Sequence, residues 1–333
     1  MTSEACRPPG AVISHVYAIP MRTRFRGIDV REGVLLRGAA GWGEFAPFWD
    51  YGPAECVPWL RAAREAAYDG WPTPRRTSIP VNVTVPAVGP EAAAATVLAS
   101  SGCRTAKVKV GEPGQTEADD LARVEAVRDA LGPGGKVRVD ANGAWGVDTA
   151  VRMVRLLDRV DLEYVEQPCR TVEELADVRR RVDVPVAADE SIRRVEDPSR
   201  VARLEAADVA VLKVAPLGGV RACLLVAEQV GLPVVVSSAL ETSVGIAAGL
   251  ALAAALPDLP YACGLATLAL LDGDVTSSPL RVVDGALPVE RPQPDLVEAV
   301  AADEATAARW VARLGEVEAL AAPPSDSGTD SGR

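Results

Sequence analysis

From Val81 onward, short runs of β-branched residues alternate with longer segments whose apolar residues recur at helical spacing, and few folds accommodate eight such repeats. The short runs fall at 81–85, 106–110, 137–140, 164–166, 184–188, 209–214, 234–237 and 261–265. Between them stand patterns such as Leu121, Val124, Val127 and Leu131, with charges on the opposite face. Strand–helix alternation of this kind builds βαβ units and a parallel sheet, and eight strands suit a closed α/β barrel ringed by helices. Pro185, Pro233 and Pro260 stand just before or at strands, where a missing N–H is tolerated.

Such a barrel takes roughly 250 residues, and the 333 present leave room for a second unit. Residues 12–51 read as antiparallel strands broken by glycines, followed by a helical stretch over 54–68. The expected organisation is an α+β capping domain over 1–80 and a barrel over 81–278. A segment over 279–320, with a strand at 280–283 and a late helix, returns to the cap. A Ser, Asp, Gly and Pro tail over 321–333 has no apolar anchor and is expected to be disordered.

Composition narrows the chemistry. The longest nearly uncharged apolar stretch, 243–256, is shorter than the ~20 residues that cross a bilayer. The start of the chain carries charge and proline where a signal peptide would be apolar, so a cytoplasmic protein is expected. A net charge of −11 without a dense basic run disfavours nucleic acid and anionic membranes as partners, and an anionic small molecule would need a few placed cations. The oligomeric state is left open. Six scattered cysteines without a C-x-x-C pair argue against a zinc knuckle or redox motif. The single histidine, His15, lies in an alternating, edge-strand-like run; any Ser-His-Asp triad or H-E-x-x-H zinc site would have to use it.

Catalytic groups of (β/α) barrels sit at the carboxyl ends of the strands. Here those ends carry Lys107 and Lys109, then Asp140 and Asn142, then Glu166, then Asp189 and Glu190, then Lys213. The steps from Asp140 to Glu166, Asp189 and Lys213 are 26, 23 and 24 residues, about one βα unit each, so these groups line one rim. Three carboxylates buried together are costly unless a cation neutralises them, and an all-oxygen set suits Mg²⁺. Any one of these acids could equally be a solvated strand end or half of a salt bridge. Lys107 and Lys109, two apart, share a strand face. A second ammonium about 5 Å away at an effective dielectric near 20 contributes on the order of 3 kcal/mol, roughly two pKa units, toward a neutral lysine base.

In this order the motifs resemble the enolase superfamily, and within it the muconate-lactonising subgroup, over nearly the whole chain. The resemblance implies a (β/α)7β-type barrel with an α+β cap. It implies Asp140, Glu166 and Asp189 as Mg²⁺ ligands, Lys109 as base, and Lys213 on the opposite face. Lys107 would sit beside Lys109, with Asn142 and Glu190 as supporting contacts. A base facing a divalent ion suits removal of a proton α to a carboxylate, because the ion binds the resulting enediolate better than the ground state.

Further stretches are similar to the o-succinylbenzoate synthases of actinobacterial type: MRTRFRG at 21–27, REGVLL at 31–36, GWGEFAP at 41–47, SSALETS at 237–243 and ACGL at 262–265. That family, of menaquinone biosynthesis, dehydrates 2-succinyl-6-hydroxy-2,4-cyclohexadiene-1-carboxylate. The resemblance implies that Lys109 removes the proton and assists loss of hydroxide on the same face. Ser237, Ser238 and Gly264 are candidates for holding the succinyl carboxylate, although serines at strand ends also serve as local caps. Arg24, Phe25 and Arg26 form either a capping loop over the mouth or a solvated hairpin tip. Racemisation of N-acylamino acids or epimerisation of dipeptides would use the same two lysines. Muconate cycloisomerisation and a silent barrel are weaker alternatives, the last because no ligand or lysine is missing.

Overall fold

In a computed structural model, which describes residues 12–193 and 198–322, the amino-terminal region is a three-stranded antiparallel sheet of β1 (Ile13–Phe25), β2 (Ile28–Gly38) and β3 (Gly41–Phe45). Residues 1–11, Cys6 among them, and the expected tail from residue 323 lie outside the described residues, while Ala321, counted with that tail, still belongs to the last helix. The β1–β2 turn has Arg26 (φ 51) and Gly27 (φ 76) at its centre, the two left-handed residues a tight two-residue hairpin demands. Helix α1 (Pro53–Arg64) lies directly on β3: a Cβ on Gly43 would come within 2.0 Å of the Ala63 carbonyl oxygen. His15 sits half-buried on β1, with Nδ1 2.9 Å from Ser14 Oγ and Nε2 3.4 Å from Glu298.

After the short β4 (Ser78–Pro80) the barrel begins. Its elements are β5 (Val83–Val85), α2 (Pro90–Leu98), β6 (Thr105–Lys109), α3 (Glu117–Leu131), β7 (Lys136–Asp140), α4 (Val147–Leu157), β8 (Leu162–Glu166) and α5 (Val172–Arg179). They continue as β9 (Val186–Ala188), the single-turn α6 (Glu190–Arg193) and α7 (Arg200–Arg203), β10 (Val209–Leu212), α8 (Val214–Leu217), α9 (Val220–Val230), β11 (Val234–Val236) and α10 (Ser243–Ala255). The strands form one parallel sheet in the order β11-β10-β9-β8-β7-β6-β5.

The eighth strand expected over 261–265 is reduced to two residues. Cys263 bridges Val81 and Gly264 bridges Ser237, both in parallel, and this pair closes the ring. Gly264 donates to the Val236 carbonyl at 2.8 Å, and a Cβ there would stand 2.6 Å from Ser237 Oγ, so the closure needs glycine. Tyr164, Ala187, Val209, Val211 and Val235 form one core cluster on the parallel strands, while α10, almost entirely apolar, is buried along nearly its whole length.

The strand expected at 280–283 is displaced. The chain reverses at Asp284 (φ 48) and Gly285 (φ 75), and the strand forms after that turn, as β12 (Ala286–Pro288) paired with β4. Helix α11 (Glu304–Ala321) packs against α1, with Arg64 2.7 Å from Glu318. Arg313 on α11 donates to the carbonyls of Pro47, Phe48 and Tyr51 at 2.8–3.0 Å, holding the loop that follows β3.

Candidate active site

Asp140 ends β7, Glu166 ends β8 and Asp189 follows β9, and all three are at most 1% exposed. Parallel register sets Asp140 beside Glu166 and Lys109 beside Asp140. Lys107 Nζ donates to Glu166 Oε1 (2.8 Å) and Asp140 Oδ2 (3.2 Å), and Lys109 Nζ to Asp140 Oδ2 (2.7 Å) and to Asn142. Lys213, expected inside the sixth strand, lies one residue past β10 in extended conformation. Its Nζ reaches Asp189 Oδ2 at 2.6 Å. The two lysines are thus bonded to the first and last carboxylates of the row.

Burial favours the neutral acid at all three positions, and the neighbours decide the outcome. Against that burial, Lys109 and Lys107 hold Asp140 well below the usual carboxylate range, and Arg193 and Lys213 do the same for Asp189. Glu166 is pushed up to about 7 by burial and then by Asp140. Burial works against the Lys107 ammonium, but Glu166 and Asp140 hold its pKa well above normal, so Lys107 stays charged beside Lys109. Glu166 Oε2 is buried with no hydrogen-bond partner among the described residues. As placed, no three acidic, histidine or cysteine side chains among the described residues form a ready-made metal cage, because ammonium groups bridge the carboxylates instead.

Lys107, Lys109, Asp140 and Lys213 line a cavity of about 880 Å³ between the barrel rim and the cap, whereas Glu166 and Asp189 are not among its lining residues. Phe25 and Arg26 line it, and Lys109 Nζ stands 5.4 Å from the Phe25 ring centroid. Arg26 packs on Phe48 with its guanidinium carbon 4.0 Å from the ring centroid, and pairs with Asp50. Arg24 does not line the cavity; it is exposed and pairs with Asp29 at 2.7 Å, because alternation along β1 turns it away from Phe25. Ser237 and Ser238 face the cavity, whereas Gly264 stands behind Ser237 in the closing bridge. Asn142 (φ 46) and Glu190 both line the cavity, and Asn142 Nδ2 donates to Glu190 Oε1 at 3.3 Å.

Two residues escaped the motif reading. Arg193, four residues after Asp189, donates to Asp189 Oδ1 (2.8 Å), to Glu190 Oε1 (2.6 Å) and to Tyr51 of the cap. Gln167 (φ 40) ties two strand ends together: its Oε1 accepts from the Asp189 and Ser191 N–H groups at 3.0 and 3.1 Å, and its Nε2 donates to Ser191 Oγ at 2.7 Å. The i, i+4 spacing of Asp189 and Arg193 was a readable signal; the role of Gln167 depends on a backbone conformation that composition does not carry.

Residues 90–294 match the enolase C-terminal domain-like family, and residues 16–67 the enolase N-terminal domain-like family. The chain is 69% identical over 304 residues to an o-succinylbenzoate synthase of Thermobifida fusca, covering 91% of this chain and 95% of the relative. A Mycolicibacterium smegmatis protein of the same name is 55% identical, with 92% and 95% covered. Among solved structures, the N-succinyl Arg/Lys racemase of Bacillus cereus superposes with a TM-score of 0.73 at 20% identity, covering 87% of this chain and 97% of that one. The dipeptide epimerase of Enterococcus faecalis, complexed with Mg and a dipeptide, gives 0.70 at 22% identity over 85% and 98%. The structural likenesses speak for the fold. With the sequence identities and the two matched domains, they show that this chain belongs to the o-succinylbenzoate synthase family of the enolase superfamily.

Proposed function

We propose that this chain catalyses the Mg²⁺-dependent syn dehydration of 2-succinyl-6-hydroxy-2,4-cyclohexadiene-1-carboxylate to o-succinylbenzoate, as a cytoplasmic enzyme of menaquinone biosynthesis. The observation that carries this reading is the buried row Asp140, Glu166 and Asp189 with Lys109 bonded to one end and Lys213 to the other.

The residues fit a divalent cation. The unpartnered oxygen of Glu166 and its raised pKa would both be relieved by positive charge at that spot. Asp140, Glu166 and Asp189 would hold Mg²⁺, which when bound supplies positive charge to the substrate carboxylate as its α carbon loses a proton. The hydrogen-bonded cluster counts four acids (Asp140, Glu166, Asp189, Glu190) against four cations (Lys107, Lys109, Lys213, Arg193). With Lys109 neutral, as a base must be, three cations remain, and a dication then leaves a surplus of one positive charge toward an anionic substrate.

In this reading neutral Lys109 takes the proton from the ring carbon bearing the carboxylate, and the electron pair moves into that carboxylate as an enediolate. The same lysine then protonates the departing hydroxyl, so one proton and one hydroxide leave as water and the ring becomes aromatic. Lys213 would face the enediolate from the other end of the carboxylate row, and Lys107 stands beside Lys109 on Asp140. Phe25, Arg26 and Phe48 line the cavity on its cap side. N-acylamino acid racemisation draws on the same lysines from both sides. The discriminating assay incubates enzyme and Mg²⁺ in D₂O with the cyclohexadiene and, separately, with N-succinylamino acids of each hand. Efficient α-proton exchange of the amino acids with the cyclohexadiene left untouched would replace the synthase reading by the racemase.

A further inference from the structure

Arg31 is on β2 in the cap, does not line the cavity and is 2% exposed, yet among the described residues its guanidinium donates to backbone carbonyls. Nε donates to Leu240 O at 2.9 Å, Nη2 to Ala46 O at 2.5 Å and Ala239 O at 3.2 Å, and Nη1 to Glu32 O at 3.2 Å. Its central carbon sits 4.5 Å from the Phe48 ring centroid. Only a planar fork of five donors serves such a set, and the desolvation cost of burying it calls for a compensating purpose.

Two of those carbonyls belong to the cavity wall. Ser237, Ser238, Ala239 and Leu240 all line the cavity, directly after β11 and beside the strand that leads into Lys213. Leu240 is held at φ 64, a left-handed conformation that a bulky L-residue adopts only under constraint. The constraint is visible. Arg31 grips the carbonyls of Ala239 and Leu240, and the buried Glu241 Oε2 accepts from the Ala239 N–H at 2.6 Å. Ser238 Oγ is bonded to Thr267 Oγ1 at 2.6 Å. Glu44, from the same capping sheet, accepts from the N–H and hydroxyl of Thr242 just beyond.

We infer that Arg31 is a positioning residue for substrate affinity: reaching from the cap, it locks the strand-seven wall, residues 237–240, into the one conformation that closes around the substrate. This rests on the proposed function only in taking the cavity as the substrate site. Because residues 237–240 line the cavity but include none of the side chains that move the proton or face the enediolate, their loosening should weaken binding of ground state and transition state alike.

The test is Arg31→Lys, which keeps the charge and loses the fork. KM for the cyclohexadiene should rise at least about tenfold with kcat within about threefold, and amide exchange at residues 239–240 should accelerate while β11 stays protected. A fall in kcat at unchanged KM, or wild-type KM in a folded variant, overturns the inference. Should Arg31→Lys fail to fold, Glu241→Ala, which frees the Ala239 N–H from the other side, should give the same KM-weighted defect. Exchange in the unaltered enzyme gives a further check: an Ala239 amide exchanging as fast as the exposed hairpin tip would show that the wall is not locked. The comparison of exchange between Arg31→Lys and the unaltered enzyme needs no turnover, so it judges Arg31 even if the chain proves not to dehydrate the cyclohexadiene.

Discussion

Replacing Glu241 by Gln should make the enzyme's stability less dependent on pH, by an amount the structure allows one to work out. Glu241 is buried against a second carboxylate, Glu44, which is bonded to Tyr17, Thr242 and Gly245, with Arg31 as the nearest cation. Burial first and Glu44 second push the Glu241 carboxyl up to about 7. Its ordinary value is about 4.3. A carboxyl raised on folding stabilises the native state below its unfolded pKa, and that contribution is lost as pH climbs through the folded pKa. Between pH 5 and 8 the loss amounts to roughly 2–3 kcal/mol from this group. Gln keeps an oxygen for the Ala239 N–H and does not titrate. The stability gap between Glu241→Gln and the unaltered enzyme, measured by denaturant unfolding at several pH values, should therefore widen in the variant's favour by that amount from pH 5 to 8. Glu166 shifts in the same direction but is present in both proteins and cancels in the difference. Parallel stability curves across this range would refute the reasoning.

The remaining predictions concern the catalytic rim and its cover. Lys109→Ala should lower kcat by at least the ~10²–10⁴-fold typical of lost acid–base catalysis, while calorimetry still detects product binding. Lys213→Arg keeps a cation of different shape, so dehydration should weaken and any exchange of the amino-acid enantiomer that depends on Lys213 should vanish, as read by NMR in D₂O. Asp140→Asn, Glu166→Gln and Asp189→Asn should each abolish Mg²⁺-dependent turnover and weaken Mg²⁺ binding in titration calorimetry, with circular dichroism unchanged; full activity with metal content verified as nil would sink the ligand assignment. Phe25→Ala and Arg26→Ala should raise KM with little change in thermal stability, whereas Arg24→Ala, outside the cavity, should leave KM unaltered.

The parts of this site that could be read from the chain are those whose meaning is fixed by period and order. Lys107 and Lys109 had to share a face because strand side chains alternate, and Asp140, Glu166 and Asp189 had to share a rim because one βα unit separates each from the next. The same alternation, applied to the hairpin tip, separates Arg24 from Phe25, a distinction the RFRG string does not announce until the Arg26-Gly27 turn fixes the register. The closing strand was legible as an apolar run but not in its length. Cys263 bridges one neighbouring segment and Gly264 the other, and the closeness of Ser237 to Gly264 is a matter of three-dimensional packing. Apart from Arg193, much of what stayed hidden is bonding between side chain and distant backbone. Arg31 reaches the Leu240 carbonyl across 209 positions, Glu44 accepts from the Thr242 N–H across 198, and Arg313 holds the Phe48 carbonyl across 265. No local pattern encodes such pairs, since a carbonyl is available at every residue and only the packed fold selects which one a buried guanidinium meets. In this fold the selected carbonyls belong to the cavity wall and to the loop carrying Phe48 and Tyr51, so the long-range polar contacts of the cap converge on the rim that the short-range motifs define.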